Sequence, residues 1–241
     1  MSAVEAVTLP MMLTELRLPT IKRLWPALAE QSNREGWPAE RFLAALCEHE
    51  MNERERRRID RHRAESGLPP DKRLSAFDFA AVPTVSKAHV TALAESDSWL
   101  EQGANILLFG PPGVGKTHLA VALGREAIVR GYSTLFVPAT SLVTQLARAH
   151  AEGRLEEKLI HFTKPKLLVV DELGYLPFEA NAAHLFFQLV SRRYERGSML
   201  VTSNRSVAEW GGVFGDPVVA TAILDRLLHH SHVITIRGDS Y

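Results

Sequence analysis

Apolar residues in the first part of the chain recur every three to four positions, which is the spacing of one face of an α-helix. We expect this first helix to be broken near Pro19 and a second helix to begin near Pro38, because proline is tolerated in a first turn. Gly67, Pro69 and Pro70 should end the second helix. The side chains expected to face inward are Leu13, Leu16, Leu18, Ile21, Leu24 and Leu28, then Phe42, Leu43, Leu46 and Cys47.

The pattern changes near residue 71 to short apolar runs that alternate with helical stretches. Strands separated by helices are typical of a parallel sheet covered on both faces, because parallel strands need crossover connections. We therefore predict an α/β domain at 71–241 with a five-stranded parallel sheet flanked by helices, preceded by a small all-helical domain at 1–70. The predicted strands are 105–109, 134–137, 167–170, 199–203 and 233–236.

The amino-acid composition excludes several classes of protein but does not by itself indicate a function. The chain of 241 residues is 46% hydrophobic and 23% charged, as in an ordinary globular protein. The chain has 28 basic residues (lysine and arginine) and 28 acidic residues (aspartate and glutamate), so its formal net charge is zero. The overall charge therefore gives no argument for nucleic-acid binding. Cys47 is the single cysteine, which excludes an intrachain disulfide and is expected to be a small buried side chain. Without a leader pattern or a run of about 18 apolar residues, we expect a cytoplasmic protein with no membrane partner.

The stretch 54–63 contains six arginines and only two acids, and it allows two interpretations. It is either a solvated helix carrying i,i+4 ion pairs, such as Glu50 with Arg54 and Glu53 with Arg57, or a basic face that binds phosphate. The pattern alone leaves both open.

Residues 110–117 read Gly-Pro-Pro-Gly-Val-Gly-Lys-Thr, which matches the phosphate-binding loop pattern G-x-x-x-x-G-K-[ST] in full. The loop follows a predicted strand and precedes a predicted helix at 118–130. Its glycines let backbone N–H groups close around phosphate oxygens, and the helix N-terminus adds positive potential. Lys116 is expected to reach the β- and γ-phosphates and Thr117 to offer its hydroxyl to Mg²⁺.

The predicted strand 167–170 runs into Asp171 and Glu172. Asp171 is expected to hold Mg²⁺, mainly through water, and Glu172 to polarise the attacking water. A glutamate directly after the aspartate favours nucleotide hydrolysis over transfer to a small acceptor. The residues expected to bind the nucleotide are Gly110, Pro111, Pro112, Gly113, Val114, Gly115, Lys116, Thr117, His118 and Asp171.

Two further polar residues follow predicted elements. Asn204 comes directly after the fourth strand, where an amide can orient water or sense the γ-phosphate. Arg226 points away from the apolar face of a helix at 222–228. It is either an arginine that reaches the nucleotide of a neighbouring subunit or one that pairs with an acid of its own chain.

The histidines near the end of the chain invite a metal interpretation. His229, His230 and His232 have no cysteine or carboxylate at matching spacing, and a strand follows them directly. We therefore do not expect them to form a metal site.

With these residues in hand, the chain resembles the IstB-like ATPases, the transposition helper proteins of insertion sequences. It is more distantly similar to the DnaC helicase loaders of the DnaA-like AAA+ clade, and the resemblance covers nearly the whole chain. The stretches that carry it are 110–119 (GPPGVGKTHL), 170–177 (VDELGYLP), 202–205 (TSNR), 222–230 (AILDRLLHH) and 236–241 (IRGDSY).

The resemblance implies a P-loop NTPase of the AAA+ class that uses ATP and Mg²⁺. It implies an oligomer, ring or filament, with ATP at its subunit interfaces, that is loaded on target duplex DNA and stimulates a partner transposase. The N-terminal domain would then serve self-assembly, DNA binding or both. The roles it assigns are Walker A for Lys116 and Thr117, Walker B for Asp171 and Glu172, sensor 1 for Asn204, and a finger acting in trans for Arg226.

The resemblance also implies inserted helices near 141–162 that help to shape the oligomer and its DNA path, with Arg148, Arg154 and Lys158 as candidate contacts. One departure concerns the end of the sequence. In this family an arginine that acts as sensor 2 usually follows the Gly-x-Ser-Tyr ending, and here the sequence stops at Tyr241. We therefore expect weakened sensing of the γ-phosphate.

Three other functions remain alternatives. A replicative helicase loader would prefer single strands and bind a helicase. A monomeric nucleotide or metabolite kinase would need a small acceptor pocket and no arginine in trans, and the Asp171–Glu172 pair argues against it. A nucleotide-gated binding module would show little turnover.

Overall fold

The computed structural model describes residues 3–175, 178 and 180–238, and the chain forms two compact units on either side of the Arg61–His62 bond. The expected boundary was at 70/71. Residues just before that point pack on the α/β unit, where Phe136 N donates to Ser66 O at 2.7 Å and Arg125 donates to Pro69 O at 3.4 Å. The ending at 239–241, and with it the expectation about sensor 2, lies outside the described residues.

The first unit is helical and has a small core. Leu13, Ile21 and Leu46 are buried there. Glu50 is also buried: its carboxylate accepts hydrogen bonds from the backbone N–H of Thr20 at 2.8 Å and of Ile21 at 3.0 Å. The helices are α1 (Ala3–Glu15), α2 (Pro19–Glu35) and α3 (Ala39–Glu65).

Three of the expected inward positions in this region were wrong. Leu16 is 66% exposed in the break between α1 and α2, and Leu43 is 61% exposed. Cys47 is exposed as well. The inward face of α3 follows Phe42, Leu46 and Glu50 at spacings of four, and one residue further along a helix turns the side chain by about 100°.

The second unit is built on five parallel strands in the order β2-β3-β4-β1-β5, which confirms the predicted sheet. The fifth strand begins before the apolar run that predicted it, because its first residues, Ser231 and His232, are polar and the strand pairs only with β1 at the edge. The strands are β1 (Asn105–Phe109), β2 (Thr134–Pro138), β3 (Leu167–Leu173), β4 (Ser198–Ser203) and β5 (Ser231–Thr235).

Helices cover both faces of the sheet. Side chains of a strand alternate between the faces, so Leu107 and Phe109 join one apolar cluster while Ile106 and Leu108 join the other. The helices are α4 (Lys87–Glu95), α5 (Ser98–Glu101), α6 (Lys116–Val129), α7 (Ala139–Ala151), α8 (Leu155–Thr163), α9 (Ala180–Arg193), α10 (Trp210–Phe214) and α11 (Pro217–Leu228). None of the described helices combines the length and hydrophobicity that a membrane span requires.

A buried arginine ties the amino ends of β3 and β4 together. Arg193 is 2% exposed, and its guanidinium donates to the backbone carbonyls of Phe162, Pro165, Lys166 and Ser198. Burial lowers the pKa of Arg193 to about 10, so the side chain stays charged at neutral pH. The carbonyl oxygens replace the water that such a cation would otherwise bind.

Candidate nucleotide-binding site

The loop between β1 and α6 needs glycine at two positions. Gly110 has φ +155°, and a Cβ there would collide with the carbonyl oxygen of Ile236. Gly115 has φ +91°, and a Cβ there would lie 2.8 Å from the ring of Phe77. The loop is therefore held closely between the residue after β5 and the segment before α4, which fixes where its N–H groups point.

A cation is buried at the start of α6. Lys116 is 8% exposed, and its Nζ donates to the carbonyl oxygens of Gly110 at 2.6 Å and Pro111 at 2.7 Å. Burial lowers the pKa of Lys116, while the charges of Asp171 and Glu172 act in the opposite direction. No described side chain caps the N-terminus of α6. Free amide groups, a helix dipole and a buried ammonium together suit a phosphate anion.

The two acids lie at a break in the strand pairing. The register of β3 against β4 shifts between Val170 and Leu173, and Glu172 has a left-handed φ of +61°. The hydroxyl of Thr117 lies 2.9 Å and 3.0 Å from the two carboxylate oxygens of Asp171. The first residue of α6 that carries a hydroxyl thus meets the carboxylate from β3, although 54 positions separate them.

A pocket opens over these groups. The amide oxygen of Asn204 is buried and has no hydrogen-bond partner among the described residues. Val114 is fully buried in the core, so only its backbone is available to a nucleotide. The lining residues are Lys72, Pro112, Gly113, Gly115, Lys116, Thr117, His118, Glu172, Tyr175 and Asn204.

Sequence reasoning did not find three residues of this site: Lys72, Tyr175 and Thr202. Lys72 and Tyr175 line the pocket, and Thr202 donates to Asp171 Oδ1 at 2.6 Å. Lysine and tyrosine are common on loops, and threonine is an ordinary strand residue, so none stood out. His118 was expected to bind the nucleotide, and it lines the pocket. Its Nε2 also lies 2.8 Å from Arg73 O, and this contact holds the segment before α4 against α6.

Arg226 is not among the described residues that line this pocket. On α11 it donates to the carbonyl oxygen of Ala222 at 3.1 Å, and its guanidinium carbon lies 4.6 Å from the centre of the Phe187 ring. Among the described residues it makes no ion pair with an acid, and both interpretations considered from the sequence stay predictions. Its side chain is half-buried.

The adjacent histidines do meet a carboxylate, contrary to what their spacing indicated. Glu195 Oε1 lies 3.9 Å from His229 Nδ1 and 3.7 Å from His230 Nε2, and all three residues are exposed. The hydroxyl of Tyr194 already lies 2.9 Å from the same Nδ1 of His229. The fold therefore brings together three possible metal ligands, one of which is far from the other two in the sequence, but His229 Nδ1 already takes part in a hydrogen bond.

Several arginines of α3 pair with acids on their own helix. Arg54 lies 2.9 Å from Glu50, and Arg56 lies 2.9 Å from Glu53. The i,i+4 pairs expected from the sequence, Glu50 with Arg54 and Glu53 with Arg57, are both present, the second at 3.5 Å. The pairs of Glu53 match the solvated-helix interpretation, whereas the Glu50–Arg54 pair involves a buried carboxylate.

A second basic surface lies between α7 and α8, in the region where inserted helices were expected. Arg148 and Arg154 share the carboxylate of Glu152, and Lys158 Nζ lies 5.3 Å from the centre of the Phe162 ring. These side chains come from two helices and the turn between them, and they line one concave surface. Its cations outnumber the acids beside it.

The sequence profile of the IstB-like ATP binding protein family matches residues 11–241 of this chain. The chain belongs to that family. An insertion sequence ATP-binding protein of Sinorhizobium fredii is 50% identical to this IstB-like chain over 240 residues, covering 100% of it and 80% of the relative. The insertion sequence IS21 ATP-binding protein of Pseudomonas aeruginosa is 41% identical and covers 97% of the chain and 88% of the relative.

Solved structures of low identity share the fold. The DnaC helicase loader superposes on this IstB-like chain with a TM-score of 0.57 at 21% identity, over 69% of this chain and 97% of that one. AMPPCP-bound DnaA from Aquifex aeolicus gives a TM-score of 0.58 at 22% identity, over 70% of this chain and 51% of that one. The expected AAA+ fold, with a five-stranded parallel sheet between helices, is therefore confirmed.

Proposed function

We propose that this chain is an ATP-hydrolysing, DNA-binding transposition helper that assembles on target duplex DNA and stimulates the transposase of an insertion sequence. One observation carries the ATPase part: polar groups from three separate segments converge at the carboxyl ends of β1, β3 and β4. Open parallel sheets bind ligands at this edge. The names of the relatives, which place them in insertion sequences, support the transposition part.

The site residues fit ATP and Mg²⁺. Lys116 can exchange its two carbonyl partners for β- and γ-phosphate oxygens, which would give the buried cation negatively charged partners. Thr117 and Asp171 offer hard oxygen donors and would hold Mg²⁺, mainly through water. When bound, Mg²⁺ neutralises negative charge on the phosphates.

The residues beside the phosphates divide the remaining work. Glu172 is exposed towards the pocket and accepts a proton from, or orients, the attacking water. Asn204 offers a buried amide oxygen with no described partner, which suits a hydrogen bond from that water or contact with the γ-phosphate through its amide N–H. The reaction class is hydrolysis of the terminal phosphoanhydride.

Arg226 completes this site in a neighbouring subunit. Its surface position outside its own pocket supports action in trans, because a fixed planar cation stabilises charge that develops on the phosphates. Mixing Arg226→Ala with Lys116→Ala tests this, since each variant supplies what the other lacks. Recovery of ATPase activity in the mixture supports action in trans, and co-assembly without recovery contradicts it.

DNA contacts are proposed for the concave basic surface formed by Arg148, Arg154 and Lys158. The N-terminal helices are proposed to serve self-assembly. Both surfaces belong to a protein that we expect to act in the cytoplasm, where its DNA target lies.

The experiment that tests the function is binding to long duplex DNA, followed by fluorescence anisotropy at one fixed salt concentration. Binding is measured with ATP, with ADP and without nucleotide, and then with Glu172→Gln. We expect ATP to tighten duplex binding and Glu172→Gln to prolong the bound state, because the variant retains ATP. The salt is fixed because phosphate contacts make affinity steeply salt-dependent.

The same assay separates the alternative, a replicative helicase loader. The DnaC helicase loader shares the fold at an identity that indicates no more than fold. A preference for single strands over duplex DNA would favour the loader. Duplex binding that ignores the nucleotide would contradict the helper function.

A further inference from the structure

Thr202 lies on β4, next to the two acids of β3. It is fully buried near the end of β4, which runs between β1 and β3. Its hydroxyl donates to Asp171 Oδ1 at 2.6 Å and accepts from the backbone N–H of Glu172 at 2.8 Å. One side-chain oxygen therefore contacts both acids.

The strand pairing explains why a side chain is needed there. Val170 pairs with Val201, and Leu173 pairs with Ser203, so two residues of β3 stand opposite Thr202 alone. Such a bulge leaves a backbone N–H without its ladder partner. The hydroxyl of Thr202 accepts that N–H, which belongs to Glu172.

The backbone at this bulge is held in an uncommon conformation. Glu172 has φ +61°, a region that residues other than glycine rarely adopt. A left-handed residue persists where its surroundings fix it, and here the fixing contact is the bond to Thr202. That conformation leaves the Asp171 side chain buried while the Glu172 side chain is exposed to the pocket.

The carboxylate of Asp171 is fixed from two sides. Thr117 contacts both of its oxygens from α6, and Thr202 contacts Oδ1 from β4. A ligand that must meet Mg²⁺ or its water needs a defined orientation, because Mg²⁺ tolerates little departure from octahedral geometry. Partners of this kind set the orientation of metal ligands.

We propose that Thr202 is a positioning residue that couples Asp171 to Glu172: its hydroxyl aligns the first for Mg²⁺ and holds the second towards the attacking water. This inference rests on the proposed ATP hydrolysis. Thr202 is not among the described residues that line the pocket, and its hydroxyl is bonded to Asp171 and to the N–H of Glu172, so it acts through the two acids.

The test uses two substitutions of one side chain. Thr202→Val keeps the shape and the β-branch and removes the hydroxyl, while Thr202→Ser keeps the hydroxyl. A matched control is Thr134→Val, a buried threonine of β2 whose hydroxyl has no partner among the described residues. Each variant of this chain is measured for binding of a fluorescent ATP analogue in EDTA and in Mg²⁺, for ATP turnover and for thermal unfolding.

We expect Thr202→Val to bind the analogue in EDTA within about twofold of wild type and to lose about tenfold of the affinity gained with Mg²⁺. Turnover should fall about 100-fold, because the general base and the metal ligand both lose alignment. Thr202→Ser should recover most of both losses, and Thr134→Val should change neither.

Three results would overturn the proposal. The first is wild-type Mg²⁺ dependence and turnover in Thr202→Val. The second is a loss of thermal stability that Thr202→Ser does not recover, which would make the residue merely structural. The third is a wild-type chain whose ATP affinity ignores Mg²⁺. Failure of the proposed function looks different: a wild type that binds Mg²⁺ and ATP without turnover refutes hydrolysis, while the Mg²⁺ dependence still decides the alignment of Asp171.

Discussion

The carboxyl edge of the sheet and the arginine-rich part of α3 both carry cations suited to phosphate, and they arrange them in opposite ways. At the sheet edge, Lys116 is buried and its Nζ donates to two backbone carbonyls. On α3, arginines such as Arg56 and Arg58 are exposed and pair with glutamates three residues away.

The difference teaches how to separate a site from a solvated surface. At the sheet edge the groups come from distant segments, and their positions are fixed by burial and by glycines whose backbone conformation would strain other residues. Along α3 the partners come from the same helix turn, where an exposed pair contributes little. Convergence from distant segments is the better indicator of a binding site than a local excess of charge.

The largest expected effect is at Lys116. Lys116→Met should weaken ATP binding about 100-fold, because a hydrogen bond to a charged group contributes roughly 1.5–3 kcal/mol and the lysine is expected to make more than one. Arg58→Met removes a cation from α3 as a matched control and should leave ATP affinity unchanged. Titration of a fluorescent ATP analogue measures both, and equal effects of the two substitutions would break the comparison.

Glu50 sharpens the comparison, because it belongs to the charged run of α3 and yet is buried with partners from α2. Glu50→Gln should lower the local unfolding free energy of α2 and α3 by about 2 kcal/mol, since a charged acceptor of two buried N–H groups is lost. Glu55→Gln, at an exposed pair, should cost less than about 0.5 kcal/mol. Hydrogen exchange of peptides from both helices measures the two variants.

The effect of Glu50 should depend on pH. Burial, the largest influence, raises the pKa of Glu50, but the hydrogen bonds from Ile21, Arg54 and Thr20 together outweigh it, so the pKa lies below its ordinary value. The folded state therefore binds its proton less readily than the unfolded state. The stabilisation is complete above the unfolded pKa of about 4.3 and is lost as the pH falls through the lower, folded value. A difference between wild type and Glu50→Gln that grows on acidification would contradict this assignment.

The smallest expected effect concerns DNA. Neutralising Arg148 and Lys158 should reduce the slope of log K against log salt by about 1.8, because each phosphate contact contributes about 0.9. Neutralising Arg56 and Arg58 should leave the slope unchanged, since these two arginines project from a single helix, whereas Arg148 and Lys158 come from two helices that line one concave surface. Duplex binding across a salt series measures both, and the reverse result would assign the phosphate contacts to α3.

The sheet and the core of the candidate site could be predicted because each strand and each motif is recognisable from a short continuous stretch of sequence. The loop at 110–117, the acids after β3 and Asn204 after β4 each follow a strand whose apolar run is visible in the sequence. Once the strands are parallel, their carboxyl ends meet at one edge, so these residues had to meet.

What could not be predicted depends on orientation or on distant contacts. Leu43 and Cys47 each follow a residue of the inward face of α3. Their hydrophobicity alone does not show whether they or the preceding residues are buried. Thr202 has the residue type of any strand, and only the bulge opposite it shows its contacts with both acids. Glu195 is more than 30 residues from His229 in the sequence, so their contact depends on the tertiary fold.

We propose that the groups converging at the carboxyl edge of the sheet bind and hydrolyse ATP. Single-turnover hydrolysis of ATP by wild type and by Glu172→Gln, with bound ATP measured in parallel, tests it most directly. We predict equal ATP binding and hydrolysis at least about 100-fold slower in the variant, since general-base catalysis contributes about 10²–10⁴. Hydrolysis at the wild-type rate by Glu172→Gln, or ATP held by wild type without conversion, would contradict the account.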